Sequence, residues 1–462
     1  MINKKIIRNI FTWGMVFIIT MSYMASFIYA SEGYNQSIIN TDVKEEELEW
    51  PVAPDIKAKS AILIDADTGA IIYEKNPDEK MYPASITKVL TALLSIENCS
   101  LDDTVTFSAE SINSLPYDAA KVGIVPGEEV KLLDCLYVLI LRSANEVANA
   151  LAEHVAGSVE KFADMMNEYA ENLGLTNTHF ANPSGLHDDN HYITARDYGN
   201  IIMKAVKNDV LCKIWGTSTY EMPPTNKNNS AYTIWHRHSM LVDVRADYYD
   251  KAIGGKTGYT DEAGKTLVTY AKDGNMSLIC IVLKSDNDNV YPDTRKLFEY
   301  GFNNFEKITI DNSSMADITK GTDFFSKYNY IFNNKSGSVS FSKSDIIIPK
   351  TYHISNLEKR IQYTDSLAEN GEIAKLEFYY NDLFLGETRI SINNNTETNQ
   401  VGPSVIETKE KEEIIGPTII NIKYIYIAVA MLTVLIILII ILILTRNKRK
   451  LRRDWTKRYK RR

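Results

Sequence analysis

Two kinds of metal and redox motif are missing from this 462-residue chain. There is no Cys-x-x-Cys, so neither a thioredoxin-like pair nor a multi-cysteine zinc site is encoded. There is no His-Glu-x-x-His, the usual zinc-protease sequence. Cysteine itself is scarce. Cys99, Cys135, Cys212 and Cys280 are widely spaced, and Cys135 and Cys280 lie in apolar runs. That pattern reads as free buried thiols rather than as a disulfide framework. No internal repeat is visible. Positive charge is scarce along most of the length: with +3 in residues 1–30 and +10 in residues 446–462, residues 31–445 hold −21 of a net −8. So acidic a stretch excludes nucleic acid as its partner.

The two ends are where the positive charge lies. Lys4, Lys5 and Arg8 precede an apolar run from Ile10 to about Met24, and Ala30 stands before polar Ser31-Glu32. This reads as a secretory signal over residues 1–30, cleaved after Ala30; an uncleaved N-terminal anchor is the alternative. Tyr424 to Leu444 is a run of 21 residues with no charge. At the helical rise it reaches about 31 Å, enough to cross the hydrocarbon core. The tail after it has 11 Lys/Arg against one Asp, which places it in the cytoplasm and against anionic lipid. A buried core helix is the competing reading of the apolar run, and the basic tail argues against it. The expected protein is thus anchored in the cell membrane by a single pass, with its main part outside.

Between the ends the texture changes several times. Residues 31–55 are polar and acidic and read as a linker. Ala61–Ile64 and Ile71–Tyr73, around Asp67-Thr-Gly69, read as a hairpin. Helical spacing follows at Ile86–Ile96, Leu132–Leu141, Glu146–Val155 and Val159–Leu173, with Gly157 and Gly174 as stops. Thr194 with Asp197 reads as a capping box opening a helix over Tyr198–Val206. Strands return at Lys251–Gly258, Thr266–Tyr270 and Met276–Leu283, with Asp273-Gly274 as a turn, before a helix at Thr294–Phe305. Helices inserted between strands of one antiparallel sheet make an α+β domain, taken as residues 56–307. Short alternating strands over 308–392, with Asn381-Asp382 as a turn, read as a small all-β domain. Residues 393–423 contain Gly402-Pro403 and Gly416-Pro417 and read as a flexible stalk to the transmembrane helix at 424–444 and the tail at 445–462.

Three Ser-x-x-Lys tetrads occur, beginning at Ser85, Ser158 and Ser340. Only the first opens an apolar helix, which puts Ser85 and Lys88 on one face and lets the flank Val89–Leu94 bury the lysine. Burial and a second cation both favour the neutral amine that a base must be. The helix N-terminus also leaves backbone N–H groups free for an oxyanion. Alone, Ser85 could equally be an N-cap. Ser143-Ala-Asn145 between two helices and Lys256-Thr-Gly258 on a strand follow it in order, and that succession is hard to ascribe to chance.

Pro83-Ala-Ser-Ile-Thr-Lys88, Arg142-Ser-Ala-Asn145 and Gly255-Lys-Thr-Gly-Tyr-Thr260 together resemble the three motifs of penicillin-recognising serine enzymes, nearest to the low-molecular-mass D-alanyl-D-alanine carboxypeptidases. Asn182-Pro-Ser-Gly-Leu186, Thr194-Ala-Arg-Asp197 and Asp261-Glu-Ala-Gly264 share the likeness, which covers roughly residues 55–305. The resemblance implies a β-lactamase/transpeptidase-like sheet with helices on both faces and a helical subdomain. It implies peptidoglycan stem peptides ending in D-Ala-D-Ala as substrate, β-lactams as covalent ligands, and no cofactor or metal. Carried over to this sequence, Ser85 attacks the carbonyl, Lys88 is its base, and Ser143 relays a proton to the leaving amine. Asn145 holds the peptide amide, Lys256 supplies positive charge, and Thr257 binds the terminal carboxylate. The N–H groups of Ser85 and Tyr259, flanking Gly258, form the oxyanion hole. Arg237, in His236-Arg-His238, is the candidate guanidinium for that carboxylate, although its neighbours differ from the family's Asn-rich pattern. Some members carry His where this chain has Ser184, and the usual family tether is an amphipathic helix rather than a charge-free span.

Other readings compete. A β-lactamase would share the motifs, but its class A deacylation needs a loop glutamate, and Glu160, Glu168 and Glu171 fit a solvated helix face. A D,D-endopeptidase shares the chemistry. A non-catalytic wall-binding protein would not need all of Ser85, Lys88, Ser143, Asn145 and Lys256. A metal hydrolase could use His187-Asp-Asp-Asn-His191 and His236-x-His238, but these read as solvent-exposed loop histidines.

Overall fold

The computed structural model describes residues 37–39, 50–314, 339–363 and 372–392. In chain order the elements begin with β1 (Ser37–Ile39), β2 (Ser60–Asp65), β3 (Ile71–Lys75), α1 (Lys88–Asn98), β4 (Thr104–Thr106) and α2 (Ala109–Asn113). Next come β5 (Glu129–Lys131), α3 (Leu132–Arg142), α4 (Asn145–Ala156), α5 (Val159–Asn172), α6 (Ala195–Ala205) and α7 (Asp209–Trp215). The chain then returns to strands with β6 (Thr219–Met222), β7 (Tyr232–Trp235), β8 (Ala252–Thr260), β9 (Gly264–Asp273) and β10 (Met276–Ser285), closed by α8 (Val290–Asn304). The second region holds β11 (Phe305–Ile310), β12 (Val339–Phe341), β13 (Ser344–Pro349), β14 (Glu358–Tyr363), β15 (Glu372–Tyr380) and β16 (Leu383–Ile392).

The central sheet is antiparallel in the order β3-β2-β10-β9-β8. Its middle strands are buried on both faces, and the alternation of side chains shows how. Ile62, Ile64, Ile279 and Ile281 enter the larger core with α1, α3 and α4. Ala61, Leu63, Leu278 and Cys280 enter a second core under α8, with Leu297 and Phe298. Each buried isoleucine, leucine or phenylalanine among them stabilises the fold by about 1.5–3 kcal/mol. That two-sided burial is why β2 and β10 are near-continuous apolar runs rather than alternating ones.

Local chemistry accounts for the turns. The Asp65 carboxylate accepts from Thr68 N at 2.9 Å and Asp67 N at 3.2 Å, and Gly69 takes φ +75°, so the first hairpin closes. Between β9 and β10 the loop residues are Gly274, at φ +58°, and Asn275, one position later than the Asp273-Gly274 reading. Thr194 caps α6 by accepting from Asp197 N at 3.0 Å. The Asp197 carboxylate does not complete a capping box: it accepts from Asn177 N and Thr178 Oγ1, each at 3.0 Å, and so ties down the preceding loop.

The second sheet runs β1-β14-β15-β16-β13-β11, with β12 on β16. Two features differ from the sequence reading. Ser37–Ile39, inside the segment read as linker, pairs with Ile361, Arg360 and Lys359 of β14. Three residues are too few to show a strand period, which hid β1. The strand β11 begins directly after α8, so the change of region falls within a strand rather than at its start. Lys307 on β11 sits between Asp67 and the fully buried Asp65 (Oδ2 at 3.3 Å), joining this strand to the first hairpin. Burial raises the Asp65 carboxyl above its usual range, and the Lys307 charge opposes that. Trp50, at the end of the polar segment, stacks on Tyr380 (centroids 4.0 Å apart) and meets Phe305 edge-on, so it packs against the cores on both sides of the junction. Among the described residues no helix is long and apolar enough to cross a membrane; Tyr424–Leu444, with the signal, stalk and tail, lies outside them.

Candidate active site

The turn that carries Ser85 is held by its backbone. Residues Ala84–Thr87 form a single 3-10 turn leading into α1, and Ala84 adopts φ +51°, unusual for a residue with a side chain. Three carbonyls of this turn each accept from a side chain. Thr266 Oγ1 donates to Pro83 O at 2.7 Å, Thr87 Oγ1 to Ala84 O at 2.8 Å, and the Tyr198 hydroxyl to Ile86 O. The loop at Gly185 presses on the same turn. A Cβ on Gly185 would lie 1.9 Å from Ala84 O, and its φ is +78°, so only glycine fits. Ser85 therefore stays partly accessible on a turn that three elements over-determine.

Lys88, the first residue of α1, is fully buried. Its ammonium donates to Ser85 Oγ at 2.9 Å, to Asn145 Oδ1 at 2.7 Å and to Ser184 O. Three acceptors use all three hydrogens. When the amine is neutral, the two better acceptors keep the hydrogens and the lone pair faces the Ser85 hydroxyl, the geometry a base needs. Burial pushes Lys88 down to about 7, and the Arg237 charge adds to the shift while Glu146 opposes it. Lys256, equally buried on β8, is driven well below the ordinary ammonium range by burial and then by Lys88 and Arg237. The two lysines titrate as one system. Lys256 is a second amine beside Lys88, and the cation whose charge lowers both is Arg237.

Ser143 ends α3 in the left-handed region (φ +62°), which turns its hydroxyl back toward β8, and Lys256 Nζ donates to it at 2.9 Å. Lys256 also donates to Thr257 O at 2.8 Å. Asn145 opens α4, and its N–H is tied to Ala120 O at 2.9 Å. Arg237 N donates to Leu141 O at 3.1 Å, so the guanidinium candidate is anchored just before Ser143. Ser85, Ser143, Asn145, Arg237, Thr257, Gly258 and Tyr259 all line one cleft of about 850 Å³, with Lys88 and Lys256 beneath it. A Cβ on Gly258 would lie 2.9 Å from Ser85 N, so β8 passes directly over the Ser85 turn. Ser158 and Ser340 are elsewhere: the first caps α5 and the second lies on β12. Glu160, Glu168 and Glu171 are exposed on α5.

The histidines require a correction. His187 is exposed at the cleft rim, but His191, His236 and His238 are buried, not solvent-facing loop residues. His191 Nδ1 accepts from Ala181 N at 3.2 Å, which leaves Nε2–H to donate to Thr87 Oγ1 at 2.9 Å. The imidazole thus supports the hydroxyl that fixes Ala84 O. His236 and His238 are both buried, whereas Arg237 between them is exposed and lines the cleft. Burial keeps His191 and His238 neutral, each down at about 3. Sequence reasoning also missed the Ser184 carbonyl. Asn182 Oδ1 accepts from Gly185 N at 2.8 Å and from the Ser184 amide and hydroxyl, a turn that presents Ser184 O to Lys88. The Asn-Pro-Ser-Gly run was the available clue. All four cysteines are free; Cys135 and Cys280 are buried as expected, and Cys99 and Cys212 are partly exposed.

The D-alanyl-D-alanine carboxypeptidase (Peptidase_S11) family profile matches residues 47–287. The chain belongs to that family. It is a serine-type peptidase. The chain is 33% identical to D-alanyl-D-alanine carboxypeptidase DacF of Bacillus subtilis over 54% of this chain and 63% of that one, so less than two thirds of that relative is spanned. It is 29% identical to D-alanyl-D-alanine carboxypeptidase DacC of Escherichia coli over 75% of this chain and 86% of that one. Penicillin binding protein 5 of Haemophilus influenzae superposes with a TM-score of 0.59 at 26% identity, covering 74% of this chain and 98% of that one. The fold is the penicillin-binding-protein type of α+β fold with antiparallel sheets. The three motif segments fall inside the matched residues, on the Ser85 turn, the α3–α4 junction and β8 of this D-alanyl-D-alanine carboxypeptidase family member.

Proposed function

We propose that this enzyme removes the terminal D-alanine from peptidoglycan stem peptides through an acyl-enzyme on Ser85. The observation that carries the reading is the Ser85–Lys88 contact at 2.9 Å with the other two Lys88 hydrogens held by Asn145 and Ser184. Neutral Lys88 takes the Ser85 proton as Oγ bonds to the carbonyl carbon. The oxyanion that forms accepts from the N–H groups of Ser85 and Tyr259. Collapse breaks the peptide bond, and the leaving amine gains its proton through Ser143, which relays the one Lys88 took from Ser85 while Lys256 donates to the Ser143 hydroxyl. Thr257 and Arg237 bind the terminal carboxylate. Water then cleaves the ester and frees Ser85. A β-lactam enters the same path, and its ring-opened amine stays attached. The test is twofold: D-alanine release from a pentapeptide ending in D-Ala-D-Ala, and peptide mapping of a reporter-penicillin adduct. The expected adduct is on Ser85; one on Ser158 or Ser340, or labelling that persists in Ser85→Ala, overturns the assignment.

The reading extends to location. A cleavable signal over residues 1–30 and a charge-free span at 424–444 followed by 11 basic residues support a single-pass protein with its peptidase domain outside the cell membrane and its tail at the cytoplasmic lipid surface. Protease added to intact protoplasts is expected to release the peptidase domain and spare a C-terminal tag. Loss of the tag with retention of the domain reverses the topology.

A further inference from the structure

Helices α1 and α4 start side by side at the reaction centre, because Lys88 opens one, Asn145 opens the other, and the two side chains are bonded at 2.7 Å. Their far ends also meet. Cys99 is the C-cap of α1, His154 lies in the last turn of α4, and Asp103 follows Cys99 after a tight turn. One donor atom from each of these three residues lies within 4.8 Å of the others, and His154 Nε2 is 3.6 Å from Asp103 Oδ2. Nothing in the peptidase chemistry uses this cluster: none of the three lines the cleft, and at about 1.5 Å per residue an 11-residue helix separates them from Ser85.

We infer that Cys99, Asp103 and His154 form a binding site for one Zn²⁺ or similar late first-row divalent cation, which clips the distal ends of the two helices that build the active site. The donor set decides the class. Thiolate, imidazole and carboxylate together suit zinc and its neighbours, whereas calcium and magnesium take oxygen ligands. Three protein ligands leave a fourth position for water, and the exposure of His154 leaves that position open to solvent.

The ligand positions are held before any ion arrives. Cys99 N donates to Ser95 O at 3.1 Å, so the helix end fixes the thiol. Asp103 Oδ2 accepts from Ser100 N at 3.1 Å, the kind of outer hydrogen bond that orients a ligating carboxylate. The Asp103 backbone is pinned at both its groups, to Ser100 O at 3.0 Å and to Leu132 N at 2.8 Å. Two helix C-termini converge here, and their carbonyl ends favour a cation.

The test uses the full-length chain in detergent, reduced and stripped of metal, titrated with Co²⁺ alone. The expected result is one equivalent bound with thiolate-to-cobalt charge-transfer absorption, which Zn²⁺ abolishes by displacement. Cys99→Ser should lose the absorption and Cys212→Ser should keep it. Asp103→Asn and His154→Ala should each weaken binding by at least about tenfold, the loss that even outer-shell changes cause. Saturating Zn²⁺ should raise the Tm of the parent and leave that of Cys99→Ser unmoved. Penicillin labelling, which needs none of the three residues, reports whether each variant is folded. The inference is overturned if the parent shows no thiolate absorption, if Cys99→Ser retains it, or if Cys212→Ser removes it.

Discussion

Lys88→Arg is expected to acylate about 10²–10⁴-fold more slowly than the parent, the range that a lost general base commands. The size of the effect follows from the proton. A guanidinium stays charged throughout the accessible pH range, so it offers no lone pair to the Ser85 hydroxyl. The planar group also cannot reproduce the three-way donation of Lys88 to Ser85, Asn145 and Ser184. The pH dependence separates this from mere misfit. Because burial and Arg237 bring Lys88 down to about 7, the neutral amine is a minority below that pH and dominates above it. Parental acylation should therefore rise with pH through the neutral range, losing about tenfold per unit on the acid side. Lys88→Arg should show no such slope. Lys256→Arg keeps the charge beside Ser143 and should lose less than Lys256→Ala. The measurement is the rate of reporter-penicillin acylation against pH, and a Lys88→Arg enzyme as fast as its parent would remove lysine as the base.

What was legible in the sequence was what period and punctuation record. The Ala61–Tyr73 hairpin, the helices over residues 132–142 and 145–156 and the β9–β10 pair follow from apolar spacing and from residues such as Gly157, at φ +85° in its cap. The three motif segments were readable because each stands on its own element. The contacts between elements were not. His191 and Thr87 are 104 residues apart, and nothing near His191 distinguishes a ring that props the Ser85 turn from a loop histidine. Ser184 contributes only a carbonyl, which every residue has. Arg237 acts on both lysines through space, so its charge has no local pattern. Asp65 and Lys307 were unreadable for the same reason: a buried pair joining a hairpin to a distant strand has no period. Cys99, Asp103 and His154 come together only because two helices that start together also end together.

Gly258→Ala is expected to slow acylation by about 10²–10³-fold, the effect of disabling one oxyanion donor, while the fold survives. Gly258 is not at a positive φ, so its backbone would suit any residue, and the need for glycine is one of space alone. An added methyl would meet Thr266 Oγ1 at 2.2 Å, Ser85 N at 2.9 Å and Pro83 O at 3.0 Å. These are the atoms that hold the Ser85 turn against the sheet, since Thr266 Oγ1 bonds to Pro83 O at 2.7 Å. The methyl can be housed only if β8 and the turn move apart, which separates Tyr259 N from Ser85 N and spoils their convergence on the oxyanion. Overpacking of this kind costs about 1–3 kcal/mol of stability, so a folded enzyme with a modestly lower Tm is expected. The double variant Gly258→Ala/Thr266→Ala tests where the damage lies. It removes the nearest clash but leaves the methyl against Ser85 N, and should recover Tm more than acylation. A Gly258→Ala enzyme that acylates at the parental rate, or a double variant that recovers it fully, would show that the β8 backbone does not form the oxyanion hole with Ser85.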